Sequence, residues 1–328
     1  MNMTRVTLLH RHARNRLLRV LALGAGLTAA GCSKDPASPV DPPEKPRAEA
    51  PLQETDAGRP APEKLSFLPF DGSLLELIGE RDLDNRYASA VMVLADEPVP
   101  GISCNGVLLA PRLVLTAGHC VCARRGTGSP KSSELIDGSA CAKHAQVTAI
   151  LSRPVAGSSS LALRFMKQRG QVQPHPEFQV LFDARGAVES SHADLAVILL
   201  EKPVLQEASP ASLSDTEPHD GEWLHLVSYG NERDVGGIYG TRYFKKGKVS
   251  KAPHPPDGRI LYVPQGIHFN TGYRGGPCFR ESARGRWLVG IVGLGQDEEM
   301  SCTSTTLYKP WLHMQLQRAT GEVTPRSP

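Results

Sequence analysis

Short apolar runs separated by turn residues dominate the chain from about residue 87 onward. Most runs are rich in Val, Ile and Leu, and clusters of Gly, Pro, Asp and Ser lie between them, which is typical of β-strands joined by turns. The main runs are ASAVMVLA, GVLLAPRLVLTA, AQVTAIL, ADLAVILL, EWLHLVSYG, RILYV and RWLVGIVGLG. Because they follow one another without intervening helices, the pattern predicts an all-β domain built as barrels or as a sandwich.

Helical patterns are confined to two stretches. One is a short segment near residues 74–78, and the other is WLHMQLQ, which predicts a C-terminal helix over about residues 311–318. In that helix we expect the apolar side chains to cover one face. They are Trp311, Leu312, Met314 and Leu316.

The N-terminus has the pattern of an export signal. A basic start precedes a short apolar core over residues 20–30, and a bilayer span would need roughly twenty apolar residues. Residues 1–31 are therefore interpreted as a cleaved signal peptide. The stretch AAGC, residues 29–32, resembles the lipobox of bacterial lipoproteins, which implies a lipid anchor at Cys32 in the bacterial cell envelope, on its periplasmic face or at the cell surface. Ordinary secretion after cleavage nearby is the alternative.

A proline-rich segment follows the signal. From Ser33 to Lys64 there are eight prolines and several charges but almost no large apolar residues. Such a segment cannot bury enough apolar surface to fold, so residues 32–64 are predicted to form a disordered tether. We expect the folded domain at residues 65–320 and a flexible tail at 321–328.

The charge balance narrows the choice of partners. The 37 basic and 34 acidic residues give a net charge of +3, which provides no strong field for nucleic acid or for an anionic membrane surface. The sequence therefore predicts no nucleic-acid binding, and membrane contact only through the lipid anchor. It makes no prediction about oligomeric state.

Seven cysteines suit an exported chain. If Cys32 carries the lipid, six remain, and in an oxidising compartment they form up to three disulfides, with fifteen possible pairings. A thiolate metal site is the competing interpretation. The single C-x-C at Cys120 and Cys122 lacks a matching His/Cys pair at zinc spacing, so no metal is expected.

Three stretches carry residues suited to catalysis. VLTAGHC places His119 after an apolar strand, SHADLAVILLEKPV places Asp194 at the head of another, and GYRGGPC supplies a glycine-rich turn. A His, an Asp and a glycine-flanked turn in this chain order match one known arrangement of the catalytic triad, in which a carboxylate orients a general base toward a nucleophile.

From about residue 87 to about residue 317 the chain resembles the trypsin/chymotrypsin family of serine peptidases. The resemblance rests on SCNGVLLAPRLVLTAGHC, DLAVILLEKPV and GGPCF. It implies two antiparallel six-stranded β-barrels, at about 86–205 and 215–310, with a short C-terminal helix and no cofactor. It also implies that His119 is the general base and Asp194 the orienting acid. It implies the bridge Cys104–Cys120, and with this resemblance the pairs expected for the other cysteines are Cys122–Cys141 and Cys278–Cys302.

The glycine-rich turn departs from the family pattern Gly-Asp-Ser-Gly-Gly-Pro. Arg274 occupies the position of the nucleophilic serine. Tyr273 occupies the position of an aspartate, which in the family pairs with a new N-terminus released by cleavage. A guanidinium has no nucleophilic oxygen to give, although the backbone of Gly272 and Arg274 can still offer an oxyanion-type pocket. Neither Ser228 nor Ser103 is expected on a turn that faces His119, which argues against a substitute nucleophile.

The substrate pocket is the least defined part of the resemblance. It implies His268, Gly293, Leu294 and Gly295 as pocket residues, with His268 either at the base of the pocket or simply in a loop. The sequence favours a proteolytically inactive, membrane-tethered homologue that binds a peptide or protein ligand. A working serine endopeptidase is the alternative, if residue 274 is misread or another residue substitutes, and a purely structural role is the third.

Overall fold

A computed structural model of the protein describes residues 79–99, 101, 103–126, 134–155, 161–204, 207–229, 240–255, 258–265, 272–295 and 300–321. All of them belong to one compact unit, Ser66–Pro328. The predicted signal peptide, the tether with Cys32, the helix near residues 74–78, His268 and residues 322–328 lie outside the described residues.

The described residues form eighteen strands and one α-helix. In chain order these are β1 (Glu80–Arg81), β2 (Ala90–Ala95), β3 (Ser103–Ala110), β4 (Leu113–Thr116), β5 (Arg125–Gly126), β6 (Glu134–Asp137), β7 (His144–Pro154), β8 (Leu161–Pro174), β9 (Gln179–Phe182), β10 (Val188–His192), β11 (Ala196–Leu200), β12 (Ser212–Leu213), β13 (Trp223–Ser228), β14 (Tyr243–Lys251), β15 (Arg259–Pro264), β16 (Pro277–Ser282), β17 (Gly285–Val292), β18 (Met300–Ser304) and α1 (Lys309–Thr320).

The N-terminal barrel is a closed antiparallel sheet with strand order β11-β4-β3-β2-β7-β8. Its register places Val93 opposite Cys104 and Val197 opposite Leu115. The apolar runs of the sequence supply the inward side chains, and residues such as Leu115 and Ile198 are fully buried, a large contribution to stability through the hydrophobic effect. β5, β6, β9 and β10 form a separate four-stranded antiparallel sheet.

The C-terminal barrel has the strand order β14-β13-β16-β17-β18-β15 and is closed by pairing of β15 with β14. β1 adds to the edge at β14, and β12 pairs in parallel with β17. Leu224, Leu226, Ile260 and Val289 are fully buried in its core. The prediction of an all-β protein with two six-stranded barrels and a C-terminal helix is confirmed.

The C-terminal helix is longer than predicted. α1 runs over Lys309–Thr320 instead of 311–318, because Pro310 is favourable in the first helical turn and Gly321, with φ 74°, adopts the left-handed conformation that ends helices. The described part of the chain has no helix with the length and apolar character of a membrane span.

The predicted apolar face of this helix is partly wrong. Trp311 and Leu312 are buried as expected, but Met314 is exposed, Leu316 is half-buried and Gln315 is buried in their place. At 100° per residue, position 315 lies between 311 and 312 on the helical circumference while 314 turns away toward solvent. Position on the helix therefore outweighs hydrophobicity here.

A buried ion pair connects the two barrels. The Arg242 Nε group donates to Asp82 Oδ2 at 2.6 Å, and both side chains are at most 2% exposed. The same guanidinium donates to the carbonyl of Ile150 in β7 and to the hydroxyl of Tyr229 after β13. Because these partners come from both barrels, the contact helps to fix their relative position.

Candidate active site

His119 lies in a short 3-10 turn, Gly118–Cys120, directly after β4. A Cβ atom at position 118 would come within 2.7 Å of the Phe178 ring, so the turn needs glycine there. A disulfide from Cys120 to Cys104 fastens the turn to β3. The imidazole is thereby held at the rim of the N-terminal barrel.

His119 and Asp194 form a buried pair with two contacts. The His119 Nδ1 atom lies 2.7 Å from Asp194 Oδ2, and the backbone N–H of His119 donates to Asp194 Oδ1 at 2.9 Å. The two side chains are only 3% and 1% exposed. A carboxylate in this position accepts the Nδ1–H and leaves Nε2 as the basic nitrogen, which is the arrangement of a general base with an orienting acid.

The loop that carries Asp194 is fixed from the C-terminal end of the chain. Ala193 has φ 47°, and its N–H donates to the hydroxyl of Tyr308 at 2.9 Å. Tyr308 and Trp311 pack edge-on against the buried ring of His175. Burial lowers the pKa of His175, which favours a neutral ring in this packing.

The glycine-rich turn is shaped by close backbone contacts. Gly272 and Gly275 have φ 118° and 74°. A Cβ atom at Gly275 would lie 2.4 Å from the carbonyl oxygen of Asn105, and one at Gly276 would lie 2.4 Å from that of Val227. Any side chain at Gly275 or Gly276 would therefore clash with the backbone, so both positions require glycine.

Asn105 in β3 holds this turn. Its Nδ2 group donates to the carbonyl oxygens of Gly272 and Arg274 at 2.5 and 3.2 Å. Its backbone N–H donates to the same carbonyl oxygen of Arg274 at 2.8 Å. Its Oδ1 accepts from the backbone N–H of Tyr229. Sequence reasoning missed Asn105, although a lone amide side chain within the apolar run after Cys104 was an available signal.

Arg274 is half-buried and lines the same cavity as His119. Its carbonyl is held by Asn105, but among the described residues its guanidinium has no hydrogen bond or ion pair. The backbone N–H groups of Gly272 and Arg274 have no acceptor among the described residues either. Among the described residues, the turn thus presents two N–H groups without an acceptor and a guanidinium without a polar partner.

Tyr273 points the other way, into the C-terminal barrel. It is 4% exposed, and burial raises the pKa of its phenol so that it stays neutral. The Lys245 ammonium lies 4.4 Å from the centre of the Tyr273 ring, a cation–π contact. Burial lowers the pKa of Lys245 to about 8. The position that the resemblance assigns to an aspartate is filled by a neutral ring.

The expected pocket residues are only partly brought together. Leu294 and Gly295 follow β17 and line the cavity with His119 and Arg274. Gly293 pairs with the carbonyl of Ser301, and a Cβ atom there would lie 3.7 Å from Asp194 Oδ2. Gly293 does not line the cavity.

Hydroxyl side chains are absent from the described lining of this cavity. Ser228 is fully buried at the end of β13, and Ser103 is exposed at the start of β3. Neither of them lines the cavity that His119 faces.

Three disulfides join Cys104 to Cys120, Cys122 to Cys141 and Cys278 to Cys302, the same pairs that were expected. The side chains of Cys104, His119 and Cys120 lie close enough together to suggest a metal site. Because both sulfurs are committed to a disulfide, neither can act as the thiolate that such a site requires.

The chain is similar to known peptidases in sequence and in fold. A family model described as a trypsin-like peptidase domain matches residues 104–291. The chain is 28% identical over 209 residues to a cercarial protease of Schistosoma mansoni, a match covering 58% of this chain and 70% of that protein. The solved structure of a Glu endopeptidase in complex with MPD is similar with a TM-score of 0.50 and 16% identity, over 73% of this chain and 96% of that one; this likeness concerns the fold.

Proposed function

Since the chain belongs to the family of trypsin-like peptidase domains, we propose that it is an exported, lipid-anchored homologue that binds peptides or proteins without hydrolysing them. The observation that carries this proposal is the side chain of Arg274, on the turn that shares a cavity with His119. A guanidinium stays protonated and has no oxygen for the base to activate. Loss of the nucleophile in a serine peptidase reduces kcat by about a million-fold.

Peptide binding is supported by what the turn retains. The N–H groups of Gly272 and Arg274 have no acceptor among the described residues, and Asn105 holds the carbonyls of both residues. Two N–H groups without a described acceptor, on a turn held by Asn105, are suited to a carbonyl oxygen of a bound chain. In the absence of a nucleophile such a pocket binds without reacting.

A working endopeptidase is the second candidate. The complete His119–Asp194 pair favours it, because the general base and its orienting acid keep the geometry that hydrolysis requires. This candidate needs a serine that reaches His119, either at position 274 or from another segment.

Labelling with a fluorophosphonate probe separates the two candidates. We expect the wild-type protein to remain unlabelled and Arg274→Ser to gain at least partial labelling, because the glycines of the turn and the base are in place. Replacing His119 by Ala in the Arg274→Ser variant should remove the gain. Labelling of the wild type at any serine, mapped by peptide sequencing, would contradict the proposal and establish the endopeptidase.

The lipid anchor is a separate part of the proposal. It is supported by the basic start, the short apolar core and AAGC ending at Cys32. We expect wild-type protein in the membrane fraction and Cys32→Ala protein in the soluble fraction. A wild-type protein that is soluble and carries no lipid by mass spectrometry would overturn the anchor without affecting the pseudoprotease assignment.

A further inference from the structure

The cavity beside His119 is large enough for several residues of a peptide. Its volume is about 630 Å³, within the usual range of ligand sites. Its walls include the Arg274 turn, the segment after β17, the hairpin of β9 and β10 and the segment from Cys122 to Arg124. The cavity is therefore much larger than the space that a single peptide bond beside His119 would occupy.

The lining of this cavity is cationic. Arg124, Arg185 and Arg274 contribute to it, and the described lining residues include no aspartate or glutamate. The overall charge of the chain is only +3. Among the described residues the lining thus carries basic side chains and no acidic ones.

The three arginines differ in how far their charge is compensated. Arg124 pairs with Glu134 and Arg185 pairs with Asp183. Arg274 is half-buried and has no acidic partner among the described residues. A guanidinium has five N–H donors and prefers a planar carboxylate, so an incoming carboxylate gains most at Arg274.

Arg124 is positioned as a second contact. Its guanidinium lies 3.6 Å from the centre of the Phe182 ring, which holds it on the cavity wall. Its ion pair with Glu134 is exposed on both sides, and such surface pairs are weak. Arg124 can therefore exchange Glu134 for a ligand carboxylate with little loss of free energy.

We propose that this cavity selects peptide segments with an acidic side chain, whose carboxylate pairs with Arg274. The inference rests on the proposed peptide-binding function and names the class of ligand. A nucleic acid fits less well, because apolar side chains such as Val99, Ile136 and Leu294 share the lining and suit neighbouring residues of a peptide. The arginine that removes hydrolysis thus becomes the determinant of recognition.

Four peptides test this selectivity on the full-length protein. Three are blocked at both ends and identical except for a central Glu, Gln or Lys, and the fourth has a central Gln and a free C-terminal carboxylate. We expect the Glu peptide to bind wild-type protein about tenfold or more tighter than the Gln peptide, with the Lys peptide weakest. The preference should decrease as salt is raised.

Arg274→Gln should reduce the Glu-over-Gln preference to about twofold or less, whereas Arg284→Gln should leave it unchanged. Arg284 is an exposed arginine at the β16–β17 turn, outside the cavity lining, so the control matches the change in net charge. Arg274→Gln should still bind the Gln peptide, which shows that the variant is folded.

The binding results distinguish failure of the acidic selectivity from failure of the peptide-binding function. Equal binding of the Glu and Gln peptides to wild type would overturn the acidic selectivity while leaving the peptide-binding function in place. Absence of binding to all four peptides would overturn both. Binding of the free-carboxylate peptide as tightly as the Glu peptide would overturn the assignment to an acidic side chain.

Discussion

The two halves of the candidate site are held in very different ways. In the N-terminal barrel, His119 and Asp194 are buried and joined by a side-chain and a backbone contact. In the C-terminal barrel, the contacts of Arg274 with described residues are hydrogen bonds to its carbonyl, while its side chain lines the cavity. The side chains of His119 and Asp194 thus hold their half of the site together, whereas among the described residues the Arg274 side chain makes no hydrogen bond or ion pair that holds the turn.

This difference explains how a family scaffold can keep a base without a nucleophile. Because Asp194 also accepts the backbone N–H of His119, its carboxylate stabilises the fold whether or not hydrolysis occurs. The side chain at position 274 has no such task among the described residues. Retention of a His–Asp pair is therefore weak evidence for catalysis, and the residue on the turn is the informative one.

The largest expected effect comes from breaking the buried pair. Asp194→Ala removes the acceptor of two N–H groups of His119, and loss of one partner of a buried pair costs about 3–5 kcal/mol. Arg274→Ser should change the free energy of unfolding by about 1 kcal/mol or less. Urea unfolding of the full chain measures both values.

Asp215→Ala is the control for this comparison. Asp215 is an exposed carboxylate paired with Lys309, so its loss should change stability far less than the loss of Asp194. If Asp194→Ala and Arg274→Ser were equally destabilising, the distinction between a structural half and a free half would be wrong.

A smaller effect is expected from Asn105, which connects the two halves. Asn105→Ala leaves the carbonyls of Gly272 and Arg274 and the N–H of Tyr229 with fewer partners, at a cost of about 2–3 kcal/mol. The turn should also loosen, because these bonds fix its backbone. Hydrogen exchange at the amides of Gly275 and Gly276 is the measurement, and both should exchange faster than in wild type.

Thr116→Val provides the comparison for Asn105. The Thr116 hydroxyl donates to the carbonyl of Asn105 at 2.6 Å, so the variant removes one hydrogen bond next to Gly275 but leaves the bonds from Asn105 to Gly272 and Arg274. We expect a loss of about 1 kcal/mol and unchanged exchange at Gly275. Faster exchange in both variants would mean that the turn responds to general loosening and not to Asn105.

The sequence predicted the parts of this site that depend on local patterns. Apolar runs ending at His119 and beginning after Asp194 predicted the strands that position both residues, and glycine spacing predicted the turn. Asn105 was missed because its role depends on carbonyl groups about 170 positions away along the chain, which no local pattern reports.

The same limit applies to the side-chain environments. The sequence showed that Tyr273 replaces the aspartate of the family pattern. It did not predict that the Tyr273 ring packs into the C-terminal barrel in contact with the Lys245 ammonium. The three arginines of the cavity come from separate segments, so their convergence is a property of the fold. Local patterns identify elements, whereas charges that meet across elements require the structure.

The smallest expected effect concerns Lys245, which packs on the side of the turn away from the cavity. Burial lowers the pKa of Lys245 from its usual value near 10.5 to about 8. Between these values the unfolded chain binds more protons than the folded one, so stability rises with pH in this window. The Lys245 contribution should increase by about 1 kcal/mol between pH 7 and pH 9.

Lys245→Met should lack this dependence, so its stability relative to wild type should be highest at pH 7 and should decrease toward pH 9. Lys246→Met is the matched control, because Lys246 is the exposed neighbour, and its difference from wild type should stay constant. Urea midpoints at pH 7, 8 and 9 give both differences while avoiding the titration of tyrosines at higher pH. A constant difference for Lys245→Met would show that its ammonium remains solvated, and the turn would then be supported by the Tyr273 ring and Asn105 without a buried cation.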